Sequence, residues 1–572
     1  MIEPRYGVLQ TLFADRVFRI PHYQRFYSWQ KRQREDLFND LKKLATGSED
    51  QHHFMATIVC HRTGETKDVG AAQYRVYDVV DGQQRLTTLI LLLKSIELAL
   101  PGSSEDRQDL AKTLVKRDGH LILLQTNNAN EFNFNRFIRE GVAPSRTEIE
   151  THSDRNLASA IRECQQFVES WKSSQDILSL MRLVLHRLGF VVFDTEDSRV
   201  VYTVFEVLNS RGLPVDWLDK TKSVLMGRMY ELSKSSLATD AEIESLQGIW
   251  GQIYREIAKE DVPGDEILRI TATLYYGPGQ GKPRSAEESL DLLRKECVSF
   301  EKPRQISMRL LDVARKLVEL YASPHLGPVT EILHARLLAV AIKCAAGVSD
   351  DERRKLLQQW ERITFRIFGL FDKDSRTKVG DYVRLASKIV TEDIETRTYN
   401  QIMVGLRELG QEYPIDQALE QGLIGKDCYD RPEECRYLLW SYEEHLAEQL
   451  GAGGTVDETE KAAIWRLRAS DSIEHIFPQN PSGSAWSGKM SASGTAQPLE
   501  PNVGRIGNLL LLPIQLNREA QNLPFDRKKE IYVKHNLRMV QEVCKESDWT
   551  LSEIETREAQ IAGWAKTRWC DV

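Results

Sequence analysis

The sequence lacks long apolar runs, and its longest stretches, such as Leu89–Leu93 and Leu509–Leu512, are only a few residues each. A helix that crosses a bilayer needs about 20 apolar residues, so the sequence predicts no membrane span. The first residues also lack a basic start followed by an apolar stretch, which predicts that no secretory signal is present. These absences lead us to expect a cytoplasmic protein without a membrane partner.

Paired cysteines and a Walker motif are also missing. The eight cysteines are scattered without a C-x-x-C pair, which argues against a disulfide framework or a closed zinc site. Without a G-x-x-x-x-G-K-[ST] motif, any hydrolysis of a nucleoside triphosphate would not use that phosphate cradle. The net charge of −8, from 76 basic and 84 acidic residues, gives no whole-chain sign of nucleic-acid binding.

What the sequence does contain is enough apolar material for several buried cores. The chain has 572 residues, of which 41% are hydrophobic and 28% charged, as in globular multidomain proteins. Changes in local composition and apolar periodicity predict three domains. They are a mixed region at 1–225, a helical middle region at 226–450, and a last region at 451–572 that opens with a Gly-rich break. We therefore expect an α+β fold that is predominantly helical.

Local patterns support this division. Residues 54–60, 74–80 and 188–195 are rich in β-branched and aromatic side chains, as strands are. Residues 86–100 and 306–320 instead repeat their apolar side chains every three or four positions, as helices do. The first region thus combines strands with helices, while the second is typical of packed helices.

Two polar groups near the C-terminus flank a Ser/Gly/Ala-rich segment at 481–498 that we expect to be a surface loop. Glu474 and His475 precede it, and Asn508 and Asn517 follow it. Hydrolysis of a phosphodiester needs a base for water and a cation for the phosphate. An imidazole can be the base, while carboxylate and amide oxygens suit Mg²⁺ or Mn²⁺. Taken singly, each motif is also compatible with ordinary packing.

The order E-H-I-x-P-Q, G-N-L-x-L-L and N-x-x-x-x-N-x-x-F-x-x-K resembles the C-terminal nuclease domain of GmrSD-type restriction enzymes, an HNH (His-Me finger, ββα-metal) domain. The resemblance implies that His475 is the general base, that Glu474 and Asn517 bind the metal, and that Asn508 braces the loop that carries the histidine. Asn522 could replace Asn517 as the ligand. Lys528 could contact the DNA backbone, although its setting in D-R-K-K-E favours a solvated side chain.

A second polar group lies in the first region. The motif D-G-Q-Q-R at 81–85 joins a predicted strand to a predicted helix, whose first N–H groups attract anions. Arg85 could add a charged fork for phosphate, and Asp81 could cap the helix or bind a cation. Upstream, Arg25 lies among aromatic residues, of which Tyr23 and Trp29 are candidates for stacking on DNA or for a packed mini-core.

Three separated motifs, I-P-x-Y-Q-R-x-Y-x-W, D-G-Q-Q-R-L-T-T-L and F-x-x-L-N-S-R-G-L-P, resemble the ParB-related α/β N-terminal domain of GmrSD-type proteins over about residues 8–225. The resemblance implies a nucleotide-binding, often nucleotide-hydrolysing, sensor of modified DNA. The nucleotide, GTP, ATP or CTP, stays open. The implied nucleotide or phosphate pocket consists of Gln24, Arg25, Asp81, Gln83, Gln84, Arg85, Asn209 and Arg211.

These resemblances predict a modification-dependent DNA endonuclease that acts on modified phage DNA. Two other functions stay open: a nucleotide- or DNA-binding sensor with an inactive nuclease domain, and an abortive-infection toxin that uses the same site. The sequence does not decide between a homo-oligomer and an assembly with partner defence proteins.

Overall fold

The structure is a computed structural model. It describes residues 4–48, 52–116, 121–126, 131–197, 200–201, 204, 216–232, 236–279, 281–323, 326, 329, 331–391, 398–449, 461, 464–465, 468–481, 484–492, 495–496 and 502–571. Two compact units are present, the first unit formed by Met1–Thr271 and Ser285–Val318, and the second unit by Ala272–Arg284 and Glu319–Val572.

The strands are β1 (Arg5–Val8), β2 (Arg16–Ile20), β3 (His53–Val69), β4 (Ala72–Asp81), β5 (Leu124–Thr126), β6 (Leu188–Thr195), β7 (Ile473–His475), β8 (Ser491–Ala492), β9 (Thr495–Ala496) and β10 (Leu509–Leu511). The helices are α1 (Leu9–Leu12), α2 (Lys31–Thr46), α3 (Gln83–Ala99), α4 (Glu105–Leu114), α5 (Glu131–Glu140), α6 (His152–Lys172), α7 (Ile177–Arg182), α8 (Trp217–Leu232), α9 (Ser236–Ile257), α10 (Gly264–Tyr276), α11 (Ala286–Glu296), α12 (Lys302–Tyr321), α13 (Leu333–Cys344), α14 (Asp350–Thr364), α15 (Val379–Thr391), α16 (Tyr399–Gly410), α17 (Ile415–Gly422), α18 (Pro432–Glu448), α19 (Ala469–Ser472), α20 (Ile514–Ala520), α21 (Phe525–Tyr532), α22 (Arg538–Cys544) and α23 (Leu551–Arg568).

The first unit is built on a six-stranded mixed sheet in the order β1-β6-β3-β4-β2-β5. β3 and β4 form an antiparallel hairpin, while β2 runs parallel to both β4 and β5 and β3 runs parallel to β6. The predicted strands at 54–60, 74–80 and 188–195 all lie in this sheet, which confirms them. One large apolar cluster joins the sheet to α2, α3 and α6.

The turn between β4 and α3 requires a glycine. Gly82 has a φ of 89°, in the left-handed region that side chains with a Cβ rarely adopt. A Cβ added there would also lie 3.2 Å from the carbonyl oxygen of Thr57 on β3. The turn therefore brings the end of β4, with Asp81, directly against the start of α3, with Arg85.

The second unit is mostly helical, with a small antiparallel pair of strands, β7 and β10. The expected α+β class with a largely helical chain is confirmed, as is the helix predicted at 306–320, which lies within α12. The boundaries at 225 and 450 stay a prediction. Among the described helices, none combines the length and the apolar character that a bilayer crossing demands.

Candidate functional site

The polar residues near the C-terminus meet around the strand pair of the second unit. His475 pairs with Leu509, and Glu474 pairs with Leu510. The two residues are adjacent at the end of β7. Helix α20, which carries Asn517, follows β10 after Pro513. We call Glu474, His475, Asn508, Asn517, Lys528 and Tyr532 the histidine cluster.

His475 is nearly enclosed, with 8% of its surface exposed. The ring of Tyr429 meets it edge-on, with ring centroids 4.5 Å apart. Its Nε2 has no hydrogen-bond partner among the described residues. Burial, and then the positive charge of Lys528, lower the pKa of His475 to about 3. The imidazole is therefore neutral at pH 7 and can accept a proton.

Asn508 holds the chain that follows the histidine. Its Nδ2 donates to the carbonyl oxygens of Phe477 and Val503, at 2.9 and 2.8 Å. Its Oδ1 accepts from the N–H of Phe477 at 2.8 Å and from the indole N–H of Trp549 at 3.0 Å. Every polar atom of this buried amide is thus used inside the protein. These contacts fix the backbone at Phe477, two residues after the histidine.

The carboxylate of Glu474 is in contact with a buried lysine, Lys528. The ammonium of Lys528, with an exposed fraction of 0%, donates to Glu474 Oε1 and to the carbonyl oxygen of His475, both at 2.6 Å. The hydroxyl of Tyr532 donates to the same Oε1 at 2.9 Å. Burial raises the pKa of Glu474 and lowers that of Lys528. The expectation of a solvated Lys528 is therefore wrong, because α21 turns this side chain into the core. Lys528 would have to leave this position to reach DNA.

The donor chemistry of the predicted metal ligands fits a hard divalent cation. Asn517 Nδ2 donates to the carbonyl oxygens of Asp471 and Ile473, at 3.3 and 3.0 Å, which leaves its Oδ1 for another partner. Both side-chain hydrogen bonds to Glu474 reach Oε1, and the nearby Lys528 ammonium would compete with a cation. In the described parts of the chain, no three His, Cys, Asp or Glu side chains group closely enough to hold a metal, so amide and water oxygens would complete such a site.

Asn517 suits the ligand role better than Asn522 does. Asn522 is exposed, and its backbone carbonyl oxygen accepts from the indole N–H of Trp486 at 3.3 Å. Trp486 lies within the segment predicted to be a surface loop, yet it is buried against Phe477, with ring centroids 5.0 Å apart. The described part of that segment also forms the short pair β8 and β9. The burial of Trp486 therefore does not follow from the composition of this segment.

In the first unit, a network of charged side chains surrounds Arg25. Its guanidinium lies 3.3 Å from Asp216 Oδ2 and 3.2 Å from Asp219 Oδ2. The hydroxyl of Tyr254 donates to Asp219 Oδ1 at 2.5 Å. Burial lowers the pKa of Lys222 to about 8, although Asp219 opposes that change. We call Arg25, Asp81, Arg85, Asp216, Asp219 and Lys222 the arginine cluster.

The D-G-Q-Q-R motif contributes Asp81 and Arg85 to this cluster. Asp81 Oδ1 accepts from the N–H of Gly82 at 2.7 Å, and burial raises the pKa of Asp81. Burial also lowers the pKa of Arg85, although Asp81 and Asp40 oppose this. The guanidinium of Arg85 lies 5.9 Å from the centre of the Trp29 ring. Asp81 and Arg85 are thus close enough for each to influence the charge of the other.

The glutamines of the predicted pocket act differently from its arginines. Gln24 Nε2 donates to the carbonyl oxygen of Val80, and Gln24 Oε1 accepts from Lys222 at 2.8 Å. Gln84 bonds to the backbone of Phe26 and Ser28. Both amides are therefore engaged in holding the chain. Gln83 is also buried, and its Oε1 has no partner among the described residues.

A cavity of about 830 Å³ borders the arginine cluster, and Arg25, Trp29 and Arg85 are among the residues that line it. Of the other predicted ligands, Asn209 and Arg211 lie outside the described residues. Tyr23 is buried beside Lys222, whose ammonium lies 5.7 Å from its ring centre. Its ring would therefore have to be uncovered before it could stack on DNA.

Several residues in the two clusters, or in contact with them, were not singled out from the sequence. Tyr254 lies on a helix far along the chain, and the apolar periodicity of that helix indicates only packing. Asp216 and Asp219 follow the third N-terminal motif. Two acidic residues at the start of a helix, so close to a motif, are a sign of a site that is visible in the sequence. Tyr429 and Tyr532 carry no local signal for a site.

Family comparisons agree with these motifs. Residues 9–226 match the model of the GmrSD restriction endonuclease N-terminal domain, and residues 413–564 match that of the GmrSD restriction endonuclease C-terminal domain. No curated protein gives a significant match to the chain. The two matched ranges together cover about two thirds of the sequence. The chain belongs to the GmrSD restriction endonuclease family, which confirms the resemblance and supports a restriction endonuclease function.

Proposed function

We propose that this chain is a modification-dependent DNA endonuclease that acts in anti-phage defence. In this proposal, a nucleotide-responsive N-terminal domain controls cleavage or nicking at an HNH site in the C-terminal domain. The observation that carries the proposal is His475, which ends β7 with an Nε2 that has no partner among the described residues, while Asn508 holds the chain that follows. The antiparallel pair β7–β10, followed by α20, gives the strand–strand–helix order of that class of site.

His475 would take a proton from the attacking water through Nε2. With a pKa of about 3, the free imidazole is neutral but only weakly basic. A phosphate of bound DNA would raise this pKa, because a nearby negative charge stabilises the imidazolium form. The histidine would thus become a stronger base only when substrate is bound.

Glu474 and Asn517 would hold Mg²⁺ or Mn²⁺, which supplies positive charge for the scissile phosphate and the leaving oxygen when bound. The protein's own residues fix the geometry. Asn508 sets the position of the chain after the histidine, and Asn517 ties α20 to β7 through the carbonyl oxygen of Ile473. Lys528 holds the carboxylate of Glu474 and the carbonyl oxygen of His475 with one ammonium.

The activity of such a nuclease is expected to be controlled by a ligand, because an unregulated nuclease would damage the host. An enzyme that cut all DNA would attack the host chromosome, so a second, ligand-dependent state is required. The arginine cluster, with a cavity at its side, supports the assignment of this control to the N-terminal domain.

The test is DNA cleavage by the purified full chain with Mg²⁺ or Mn²⁺, on glucosylated, phosphorothioate and unmodified DNA, with and without each nucleoside triphosphate. We expect His475→Ala to abolish cleavage, since removal of a general base costs about 10²–10⁴-fold in rate. His186→Ala, at an exposed histidine of the first unit, is the matched control and keeps full activity. Equal cleavage by the wild type and His475→Ala would contradict the proposal.

One contact favours a second function, a DNA- or nucleotide-binding sensor without nuclease activity. The Lys528 ammonium lies 2.6 Å from the carboxylate that the metal would need. Under this alternative, binding to DNA persists, no metal ion induces cleavage, and His475→Ala binds like the wild type. Metal-dependent cleavage of any DNA in the panel would eliminate it.

A further inference from the structure

The imidazole of His475 is covered in a way that a working general base cannot be. The side chain is nearly enclosed, and its Nε2 is buried without a hydrogen-bond partner among the described residues. A general base has to come within about 2.6–3.2 Å of the proton donor, here the attacking water. A group that covers the imidazole must therefore move before Nε2 can take that proton.

The described ring that contacts the imidazole belongs to Tyr429. It meets His475 edge-on, with ring centroids 4.5 Å apart. Tyr429 is half-buried while His475 is nearly enclosed, so the tyrosine is the surface member of the pair. Its hydroxyl donates to the carbonyl oxygen of Ser470 at 3.5 Å, which is much longer than the usual O–H···O distance of about 2.7–2.8 Å. The hydroxyl therefore holds the ring only weakly.

The backbone that carries Tyr429 is held more firmly than the ring. The N–H of Tyr429 donates to Asp427 Oδ1 at 2.9 Å. The N–H of Cys428 donates to the carbonyl oxygen of Gly504 at 2.8 Å, and the N–H of Gly425 donates to a carboxylate of α23 at 3.0 Å. With the chain fixed on this side, the ring can leave His475 by rotation of its own side chain, without an opening of the loop.

A second buried histidine in the same unit shows how a permanently packed imidazole differs. His334 is 3% exposed, and its Nε2 also has no partner among the described residues. The rings of Phe368 and Tyr382 meet it edge-on, with centroids 5.7 and 5.0 Å away. Tyr382 is itself fully buried, and its hydroxyl lies 3.1 Å from that of Thr364. The rings over His334 are thus locked in the core, whereas the ring over His475 is at the surface.

We infer that Tyr429 is a side-chain gate of the nuclease site. Its ring covers His475 in one rotamer and admits water and the DNA backbone to Nε2 in another. The inference deepens the proposed nuclease function and rests on it. Tyr429 acts through access to the base and makes no contact with the phosphate, so its removal exposes the imidazole.

Chemical modification of the full chain measures this exposure directly. Diethyl pyrocarbonate acylates a neutral imidazole that it can reach, and at pH 8 even an exposed histidine is mostly neutral. Mass spectrometry of the peptides gives the rate at each histidine, without DNA or metal. Minor conformers commonly have populations of about 0.1–10%, so we expect Tyr429→Ala to raise the rate at His475 roughly ten-fold to a thousand-fold.

Three controls separate the gate from a general loosening of the protein. Tyr429→Phe keeps the ring and should keep the slow rate at His475. Tyr399→Ala, at a half-buried tyrosine of α16 in the same unit, should leave that rate unchanged. His334 should stay slow in every variant, because buried rings cover it. If His334 becomes fast in Tyr429→Ala, the fold is lost, and Tyr429→Leu replaces this variant with a smaller rise expected at His475.

The outcomes distinguish the gate from the function on which it rests. A slow His475 in Tyr429→Ala, with His334 also slow, refutes the gate even if the wild type cleaves DNA. Rates that are equally high in Tyr429→Phe and Tyr429→Ala refute it too, because the ring would not be what covers the base. A fast His475 in Tyr429→Ala, together with a wild type that cleaves no DNA of the panel, keeps the covering ring but refutes the nuclease function and its gating.

Discussion

The two clusters bury charge in opposite ways. In the histidine cluster, Lys528 and Glu474 are enclosed and satisfy each other at 2.6 Å. In the arginine cluster, Arg25 and Asp216 border a cavity of about 830 Å³ that water or a ligand can enter. Enclosed charges depend on each other, whereas charges beside a cavity can exchange partners. The first arrangement suits fixed geometry, and the second suits a response to a ligand.

The variant with the largest expected effect on stability is Lys528→Met, in the histidine cluster. It leaves the Glu474 carboxylate buried without its cation, so we expect the free energy of unfolding of the second unit to fall by about 3–5 kcal/mol. Urea unfolding of the full chain, followed by tryptophan fluorescence, measures the loss.

Two further variants control this prediction. Lys528→Met combined with Glu474→Gln should recover most of the lost stability, because no unpaired charge remains. Lys534→Met, at an exposed lysine paired with Glu519, should change the free energy of unfolding by less than about 1 kcal/mol. If Lys528→Met were as mild as Lys534→Met, the enclosed pair would not be what holds this site together.

A smaller effect is expected from Asp219→Asn in the arginine cluster. It removes the charge that faces Arg25 but keeps a group that can bond to Tyr254. Since Arg25 retains Asp216 and a cavity that admits water, we expect a loss of about 1–3 kcal/mol in the first unit. The same unfolding experiment measures it. A loss equal to that of Lys528→Met would show that the two clusters are energetically alike.

A pH dependence of stability is expected from Lys222. Its pKa is about 8 in the folded chain against 10.5 in its ordinary state. Between these two values the unfolded chain keeps a proton that the folded chain has lost, so stability should rise with pH there. We expect the difference in melting temperature between wild type and Lys222→Met to change across this window and to be constant below about pH 7. A flat difference throughout would place Lys222 in a more polar environment.

Much of the fold was predictable because strands and helices have local causes. Alternation and β-branched content marked β3, β4 and β6, and the three- and four-residue apolar repeat marked α12. The motif around Gly82 also indicated its strand–turn–helix form. The burial of Trp486 was not predicted, because small polar residues dominate the composition of its segment.

The sequence by itself determined the family, the elements around each motif and the residue types that could do the chemistry, since these depend on neighbours along the chain. Only the tertiary structure decided which of those side chains are enclosed. Lys528 has the neighbours of a solvated lysine but lies in the core, and Trp486 has small polar neighbours along the chain but is buried against Phe477. Solvation and partnership depend on which distant helices pack around a side chain, and no local pattern encodes that.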